Sequence, residues 1–224
     1  MPRALFLCSG TGSVGQPFRE SGWEVIDVDW DGRYNAEVQC DIMTWDYKAA
    51  FPTAHFDVIW SSPDCTMYSL ARTTAKTPRN FAKADALVQK CLDIIDFYQP
   101  RLWFLENPDT GYLKSRPFMQ DLPYVRVDYC MYGTDYRKRT RIWTNTHWKP
   151  KLCDCSHCIT TQGARRITYR HIACAQRIYP QTRRQEEIAA GRIPQSRNFT
   201  RDELHRLPRA FCEEICAQAN AAVL

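Results

Sequence analysis

The sequence predicts an α/β protein built on a doubly wound, mostly parallel sheet, with a small irregular segment appended to it. The first observation is a series of short apolar runs bounded by turn residues, each with the length of a buried strand. The second is a segment of helical periodicity, from about residue 80 to residue 98, between two of these runs. The third is that strand-like and helix-like segments alternate up to about residue 143, as they do when helices connect parallel strands.

The first apolar run, residues 5–8, leads into a glycine-containing loop at the start of a helix. Glycines permit a tight turn there and let a ligand approach the backbone closely. Alone this indication is weak, because many α/β loops contain such glycines. The residues that would border the ligand are Cys8, Ser9, Gly10, Thr11 and Gly12.

The second apolar run, residues 23–28, leads to Asp29, about 20 residues beyond the glycines. That spacing is typical of dinucleotide sites, in which the acidic residue holds ribose hydroxyls. Trp30 follows with an aromatic face for an adenine, and Asp41, beside Ile42, is a candidate partner for an exocyclic amine. The alternative is structural: the two aspartates would cap helices or turns, and Trp30 would belong to the core.

A further apolar run, residues 56–60, is followed closely by Cys65. Open α/β sheets place their ligand crevice at the carboxyl ends of the strands, so this thiol is a candidate nucleophile. The alternative is an inert, buried cysteine, the usual state of a lone thiol. A polar, basic loop that includes Arg72 comes next and would cover the site. The strand predicted at residues 101–105 would deliver Glu106 to the same rim.

Residues 125–130 and 141–144 are predicted to be the last two strands, joined by a tight basic connection. In an extended chain Arg137, Arg139 and Arg141 point to the same side, because side chains alternate with a period of two. Cations on such a face are normally solvated. At the rim of the sheet they would instead bind an anion or a carbonyl group.

After Trp148 the regular alternation stops and a group of cysteines follows. A four-ligand zinc site could stabilise this segment, which is too small for much core. The spacing is not one of the common zinc patterns, and His157 adds another potential ligand. The candidate ligands are Cys153, Cys155, Cys158, His171 and Cys174.

The charge of the chain is unevenly distributed. The net charge is +5, but residues 147–200 carry ten Lys and Arg against three Asp and Glu, which makes that segment +7 and the remainder −2. Concentrated positive charge beside a catalytic domain indicates a polyanionic partner, with a merely soluble basic surface as the alternative. We predict a catalytic domain (1–146), a basic recognition segment (147–200) and a C-terminal helix (201–224) that packs back on the catalytic domain.

The length of 224 residues suits one domain of ordinary size with a small appendage. Eleven cysteines, an odd number at scattered spacing, fit reduced intracellular thiols better than a disulfide scaffold. No run of about 18 apolar residues is present, and the N-terminus lacks the layout of a signal peptide. We therefore expect no contact with membranes.

Together these segments resemble the motifs of the DNA cytosine-5 methyltransferases, in particular the small phage-type members, and they follow the order of that family. The likeness covers nearly the whole chain except residues 147–200. The similar segments are Phe6-Leu7-Cys8-Ser9-Gly10-Thr11-Gly12, Asp29-Trp30-Asp31, Cys40-Asp41-Ile42, Ser62-Pro63-Asp64-Cys65, Glu106-Asn107-Pro108, Arg137-x-Arg139-x-Arg141 and Leu207-Pro208.

The resemblance implies a Rossmann-like sheet that binds S-adenosyl-L-methionine, and an enzyme that methylates C5 of a cytosine flipped out of double-stranded DNA. It implies that the Cys65 thiolate attacks C6 of the base and that protonated Glu106 donates to N3. It assigns the O2 edge of the base and nearby phosphates to Arg139 and Arg141, whose charge would also help to keep Cys65 ionised. Further cofactor contacts are implied at Ile42 and Pro63, and DNA contacts at Arg72, Arg137, Arg165, Arg166 and Arg170.

Several residues depart from the family pattern. Asp64 stands where a proline is usual, and a carboxylate there would raise the pKa of the neighbouring thiol. Cys8 replaces an aromatic residue, and Arg137 replaces a glutamine. The short basic segment predicts a short target sequence or loose specificity. We expect a monomer in the cytoplasm of a bacterial or phage-infected host cell.

Other functions remain open at this point. The same chemistry could act on RNA, the transferred group could be a modified methyl, or the protein could be a DNA-binding relative with little turnover. A nicotinamide-dependent oxidoreductase would use the same kind of sheet and Asp29. That last alternative leaves Cys65, Glu106 and the arginines without a role.

Overall fold

The fold is centred on one seven-stranded mixed sheet. The computed structural model describes residues 1–70, 72, 75–134, 136–154, 159–163, 166–170 and 200–224. The strands of the main sheet are β1 Arg3–Leu7, β2 Glu24–Asp29, β3 Val38–Gln39, β4 Val58–Ser61, β5 Leu102–Pro108, β6 Tyr124–Asp128 and β7 Arg139–Thr144. Two further strands, β8 Ile159–Gly163 and β9 Arg166–Arg170, form a separate antiparallel pair.

Five α-helices accompany the strands in the described part of the chain. The longest, residues 81–98, begins after Asn80, whose side chain accepts a hydrogen bond from the Lys83 amide (3.0 Å). It ends before Gln99, which has a left-handed backbone conformation. The helix predicted from periodicity is thereby confirmed. The helices are α1 Gly15–Glu20, α2 Tyr47–Ala50, α3 Phe81–Tyr98, α4 Arg201–His205 and α5 Arg209–Val223.

The order of the strands in the main sheet is β3-β2-β1-β4-β5-β7-β6. β1 pairs in parallel with β2 on one side and with β4 on the other, so the order reverses between β1 and β4. β7 runs antiparallel to both of its neighbours, β5 and β6. The predicted mostly parallel α/β sheet is confirmed. The observed strand order, with its antiparallel β7, differs from the six-stranded parallel order of dinucleotide-binding sheets.

The hydrophobic core lies on both faces of the sheet. In β1, Ala4 and Phe6 face a cluster that includes α5, whereas Leu5 and Leu7 face the cluster formed with α3. This alternation follows from the period of two in a strand. Burial of each large apolar side chain contributes about 1.5–3 kcal/mol to the stability of the fold. Packing on both faces therefore holds the sheet, and the edge on which the site is built, in a fixed position.

Two strand predictions are corrected by the structure. β5 continues to Pro108, so Glu106 and Asn107 lie inside the strand and not after it. The reason is pairing: β7 runs alongside and places Ile142 opposite Glu106. The strand predicted at residues 125–130 ends at Asp128, and Tyr129–Tyr132 forms a 3₁₀ helix.

The C-terminal segment consists of two helices, α4 and α5, where one was predicted. The break lies at Pro208, which directly precedes α5. On α5, Phe211 is fully buried in the cluster that contains Trp60 and Tyr129. Trp23 Nε1 donates to Asn220 Oδ1 (2.7 Å) near the end of α5. No helix of the described residues is long and apolar enough to cross a membrane.

Candidate active site

Two loops and the end of strand β2 meet where the strand order of the sheet reverses. β1 leads to a glycine loop (residues 8–14), β2 ends at Asp29, and β4 leads to a Cys65 loop (residues 62–69). Because β1 lies between β2 and β4, the loops are neighbours at the carboxyl ends of the strands. The Ser62 amide donates to the Leu7 carbonyl (3.1 Å) at this junction.

The glycine loop has a left-handed backbone at three positions. Cys8, Gly10 and Gly12 have φ values of 53°, 51° and 65°, which only glycine adopts at little cost. The Gly10 amide donates to Asp29 Oδ2 (2.8 Å), and Asp29 Oδ1 accepts from the Asp31 amide (2.9 Å). Asp29 therefore fixes both the glycine loop and the turn after β2, as the structural alternative predicted.

The other loop residues complete a compact turn. The Gly12 amide donates to the Ser9 carbonyl (3.0 Å), and Thr11 Oγ1 lies 2.7 Å from Ser13 Oγ. The Cys8 side chain turns away from the loop: a hydrogen bond with the buried Cys91 thiol of α3, together with burial, raises the pKa of Cys8. The thiol of Cys8 is therefore held against α3.

Trp30 is 73% exposed, so the alternative that places its indole in the core is wrong. Asp41 Oδ1 accepts from the Met43 amide (2.9 Å) and thus caps a turn, while Ile42 is buried. An exposed indole beside a loop with left-handed glycines fits a ligand that contains adenosine. The ring offers a stacking face, and the loop allows a close backbone approach.

The Cys65 loop is anchored at two points. Asn107 Nδ2 donates to the Pro63 carbonyl (3.0 Å), which ties the loop to β5. The Cys65 carbonyl accepts from the amides of Tyr68 (3.0 Å) and Ser69 (2.9 Å), so the chain closes into a turn directly after the thiol. A nucleophile needs a fixed position relative to its target, and these bonds supply it.

Arg79 braces the same turn, although no sequence signal marks it. Its Nη1 and Nη2 donate to the carbonyls of Met67 (2.5 Å) and Ser69 (2.8 Å). Arg72, predicted to contact DNA, donates to the Thr77 carbonyl (2.6 Å) within its own segment. An arginine in a basic loop can either stabilise the loop or contact a ligand. The sequence alone could not show which of these two roles Arg79 and Arg72 have.

The Cys65 thiol is protonated at neutral pH. Burial, the Glu106 carboxylate and the Asp64 carboxylate raise its pKa to about 11, against the opposing effect of Lys138. At pH 7 only about one thiol in ten thousand is ionised at such a pKa. Arg139 and Arg141 were expected to keep the thiol ionised, and that role stays a prediction. Lys138 is a cation among the described residues whose charge lowers the pKa of the thiol.

Glu106 is a buried carboxyl group at the carboxyl end of β5, 8% exposed. Burial raises its pKa above the ordinary value, whereas Lys138 and a hydrogen bond from Tyr129 lower it. The Tyr129 hydroxyl donates to Glu106 Oε1 (3.3 Å). A carboxyl with a raised pKa holds its proton to higher pH, which suits a group that must donate a hydrogen bond.

Arg137 and Arg139 share one buried carboxylate. Asp128 Oδ1 accepts from Nε of Arg137 (3.0 Å) and of Arg139 (2.9 Å), and Asp128 Oδ2 accepts from Arg139 Nη2 (2.6 Å). The Cys153 amide also donates to Asp128 Oδ2 (3.0 Å). Burial alone would raise the pKa of Asp128, but these hydrogen bonds outweigh burial and lower it. The two arginines are thus held by an acid that the sequence placed in an ordinary strand.

Arg141 has a carboxylate partner of its own. Its Nε donates to Asp109 Oδ1 (2.8 Å), and its guanidinium lies 3.7 Å from the centre of the Tyr124 ring. The prediction left open a solvated row of cations or a row that binds anions. The structure has a third arrangement, in which each of the three arginines is paired with an acid and oriented by it.

Comparison with known proteins decides the family. No protein-family profile matches the chain. A curated protein of Frog virus 3 (isolate Goorha), named "Probable DNA (cytosine-5)-methyltransferase", is 36% identical over 165 residues, which are 67% of this chain and 74% of that protein. The chain belongs to the DNA cytosine-5 methyltransferase family.

Three solved structures are similar to this methyltransferase at low sequence identity. A candidate DNA modification methyltransferase encoded within an E. coli prophage has a TM-score of 0.48 at 15% identity, over 64% of this chain and 46% of that one. A triple mutant of Spodoptera frugiperda DNMT2 has a TM-score of 0.44 at 15% identity, over 68% and 55%. Entamoeba histolytica methyltransferase EhMeth has a TM-score of 0.48 at 13% identity, over 71% and 63%. This methyltransferase thus spans between 46% and 63% of those chains.

The basic segment of this methyltransferase is described only in part. Arg166 and Arg170 are the first and last residues of β9. Within the described ranges, no group of three or more His, Cys, Asp or Glu side chains could hold a metal ion. Arg165 and four of the predicted zinc ligands, Cys155, Cys158, His171 and Cys174, lie outside the described residues.

Asp64 offers a test of the electrostatics around the thiol. Its Oδ1 accepts from the amide (3.0 Å) and hydroxyl (2.6 Å) of Thr66. The substitution Asp64→Asn keeps that acceptor and removes the charge that raises the pKa of Cys65. We expect alkylation of Cys65 by iodoacetamide at pH 8, followed by peptide mass spectrometry, to become about 3-fold faster, a modest change because Asp64 is exposed.

Asp64→Pro, which restores the residue usual in the family, is a less suitable variant because it also removes the acceptor for Thr66. Alkylation of Cys40, which lies outside the Cys65 loop, serves as the internal reference in the same sample. An unchanged ratio of the two rates in Asp64→Asn would show that Asp64 does not control the thiol.

Proposed function

We propose that this protein transfers a methyl group from S-adenosyl-L-methionine to C5 of a cytosine in double-stranded DNA. The observation that supports this proposal most directly is the Cys65 thiol in its anchored loop. The thiol is close enough to the buried Glu106 for the Glu106 carboxylate to raise the pKa of Cys65. Membership of the DNA cytosine-5 methyltransferase family supports this reading, because it explains why a thiol, an acid and arginines occur together at one rim.

The chemistry requires a nucleophile that adds to the base before methylation. C5 of cytosine is a weak nucleophile, so a nucleophile must add to C6 first. The Cys65 thiol loses its proton to solvent water, and its thiolate bonds to C6 while the Glu106 acid donates its proton to N3. C5 then takes the methyl group. The C5 proton then passes to solvent water, the electrons of that bond restore the C5–C6 double bond, and sulfur leaves C6 as the thiolate. The N3 proton returns to Glu106.

The cofactor would lie against the glycine loop and the end of β2. S-adenosyl-L-methionine supplies an electrophilic methyl group when bound. The amides of the glycine loop would border it, Trp30 would stack on its adenine, and Asp29 and Asp41 would face its ribose and amine. The exposed indole and the left-handed glycines fit such a ligand. Pro63 and Ile42 would complete the walls.

The target base must leave its helix to reach these groups. Glu106 is 8% exposed, which places the acid inside the rim where a stacked base cannot reach it. We infer that the cytosine is flipped out of the duplex. Arg139 and Arg141 each use part of their five donors on an acid, which leaves other N–H groups for the O2 edge and nearby phosphates.

The basic segment would hold the DNA. Residues 147–200 carry a net charge of +7, which favours binding to a phosphate backbone. We propose that Arg165, Arg166 and Arg170 of this segment contact the DNA, together with Arg72 and Arg137 of the predicted catalytic domain.

The test is transfer of a labelled methyl group. The purified protein is incubated with labelled S-adenosyl-L-methionine and a cytosine-containing duplex, and the nucleosides are then separated. We expect the label in 5-methyldeoxycytidine. A poly(dA)·poly(dT) duplex is the matched control, because it lacks cytosine. Label no higher than in that control would contradict the proposal, and label in tRNA but not in DNA would assign the activity to RNA.

We also retain structural zinc as a proposal. Cys153 is the one predicted ligand among the described residues, and burial together with the neighbouring Cys153 thiol raises the pKa of Cys130 to about 12. Cys130 is therefore a further thiol at this place. Metal analysis of the purified protein should find about one zinc per chain, reduced in Cys153→Ser. Less than about half an equivalent in the wild type would reject the site.

A further inference from the structure

A chain of contacts leads from Glu106 to the C-terminal segment. The Tyr129 hydroxyl donates to Glu106 Oε1 (3.3 Å). Lys138 Nζ lies 5.4 Å from the centre of the Tyr129 ring and donates to the Leu204 carbonyl of α4 (3.0 Å). The Tyr129 amide donates to the Lys138 carbonyl (3.3 Å), which holds the two residues side by side.

We propose that Tyr129 and Lys138 are positioning residues of the methyl-transfer site: Tyr129 fixes which oxygen of Glu106 bears the proton, and Lys138 supplies the cation that faces Glu106 and Cys65. This inference rests on the proposed function, because it assigns roles in that reaction. It adds two residues to those implied by the family resemblance.

The role of Tyr129 follows from the chemistry of a carboxylic acid. Such a group has one oxygen that only accepts and one that bears the proton. Since the Tyr129 hydroxyl donates to Oε1, the proton of Glu106 belongs on Oε2, which is then the oxygen that donates to the base. Burial and the nearby Glu106 raise the pKa of Tyr129 well above its usual value, so it stays a donor throughout the working range.

The role of Lys138 follows from the contacts of its ammonium group among the described residues. Arg137, Arg139 and Arg141 each lie against a carboxylate that offsets their charge. In the described part of the chain no carboxylate forms an ion pair with Lys138; its ammonium group rests on an aromatic ring and a backbone carbonyl. Its charge therefore acts on Glu106 and lowers the pKa of that carboxyl.

The charged and titratable groups around this pair come from several elements. The charges that act on Cys65 are those of Glu106 on β5, Lys138, and Asp64 in its own loop. Tyr129 faces Glu106 and the Cys212 thiol of α5. Lys138 opposes the two carboxylates at Cys65, so its removal should raise the pKa of the thiol.

Tyr129→Phe tests the first role. The loss of one buried hydrogen bond should lower kcat about 10-fold with KM for DNA unchanged. Tyr132→Phe is the matched control, because Tyr132 lies on the same 3₁₀ helix, is buried, and donates to Glu214 (3.1 Å). It should leave kcat within about 2-fold of the wild type. Equal kcat values for the two variants would overturn the role of Tyr129.

Lys138→Met tests the second role through pH dependence. Loss of the cation raises the pKa of both Cys65 and Glu106, so both limbs of the profile of kcat against pH should move to higher pH. Between the limbs the two effects oppose each other, since the reaction needs Cys65 ionised and Glu106 protonated. Lys138→Arg keeps the charge. Both limbs of its profile of kcat against pH should therefore lie at the wild-type pH values, even if its maximal kcat differs. Superimposable profiles for Lys138→Met and wild type would overturn the role of Lys138.

A second measurement needs no substrate. The rate of Cys65 alkylation is followed against pH in the wild type, Lys138→Met and Lys138→Arg. The midpoint should rise in Lys138→Met alone, and an unchanged midpoint would overturn the inference even if the protein methylates DNA. If the wild type transfers no methyl group but the midpoint still rises, the proposed function fails while the electrostatic role of Lys138 holds.

Discussion

Replacement of Cys65 by alanine is expected to abolish methyl transfer and the covalent capture of a duplex that contains 5-fluorocytosine. In the proposed mechanism the thiolate forms the bond to C6, and fluorine at C5 prevents the proton loss that would release it. The expected decrease in kcat is on the order of 10⁴-fold or more, as for other enzymatic nucleophiles. Capture is measured as a denaturant-resistant adduct on a gel, beside initial rates of label transfer.

Cys216→Ala is the matched control for a lost thiol. Cys216 is buried on α5, with its sulfur 3.5 Å from Ser21 Oγ, and has no place in the mechanism. Its variant should still form the adduct. Failure of the wild type to form an adduct would contradict nucleophilic catalysis and favour a DNA-binding relative with little turnover. The pKa of about 11 at Cys65 would then be the physical reason.

The local features of this fold could be predicted from the sequence because their causes are local. The Asn80 cap, the apolar face of α3 and the residue before Pro100 determine that helix within a few residues of chain. The glycine loop is likewise marked by its own residues. Such features need no knowledge of what lies across the sheet.

The features that depend on strand pairing could not be predicted in this way. Glu106, Asn107 and Pro108 resemble the end of a strand, since proline removes a ladder donor. They are strand residues because β7 pairs with them in the antiparallel direction. Nothing within residues 101–108 indicates the direction of a partner more than thirty positions away.

The same limit applies to the candidate site. A row of arginines indicates an anion, but their internal partners are Asp109 and Asp128, which come from different elements of the chain. Lys138, which lies between two of those arginines in the sequence, is a cation whose charge lowers the pKa of Cys65. Pairing partners, and not residue types, decide which charge remains available. The roles assigned to individual site residues and the division of the chain into three segments stay predictions.

Replacement of Asp128 by alanine should destabilise the protein more than any change at an exposed ion pair. The carboxylate is fully buried and accepts from Arg137, Arg139 and the Cys153 amide. Without it, two partly buried guanidinium groups and one amide lose their partner, so the free energy of unfolding should fall by about 3 kcal/mol. Urea denaturation at pH 7 measures this change. Glu24→Ala, at the exposed pair with Arg3, should cost less than about 1 kcal/mol.

At acidic pH, Asp128 should stabilise the protein less, relative to the variant Asp128→Asn, than it does at neutral pH. The pKa of Asp128 is lowered in the folded protein, so its contribution to stability is complete above the unfolded pKa, near 4, and is lost as the pH falls through the folded pKa. Asp128→Asn keeps an acceptor oxygen but has no charge to lose. The difference in unfolding free energy between wild type and Asp128→Asn should therefore shrink below about pH 4. A difference that stays constant down to pH values near 2 would mean that shape, and not charge, holds the two arginines in place.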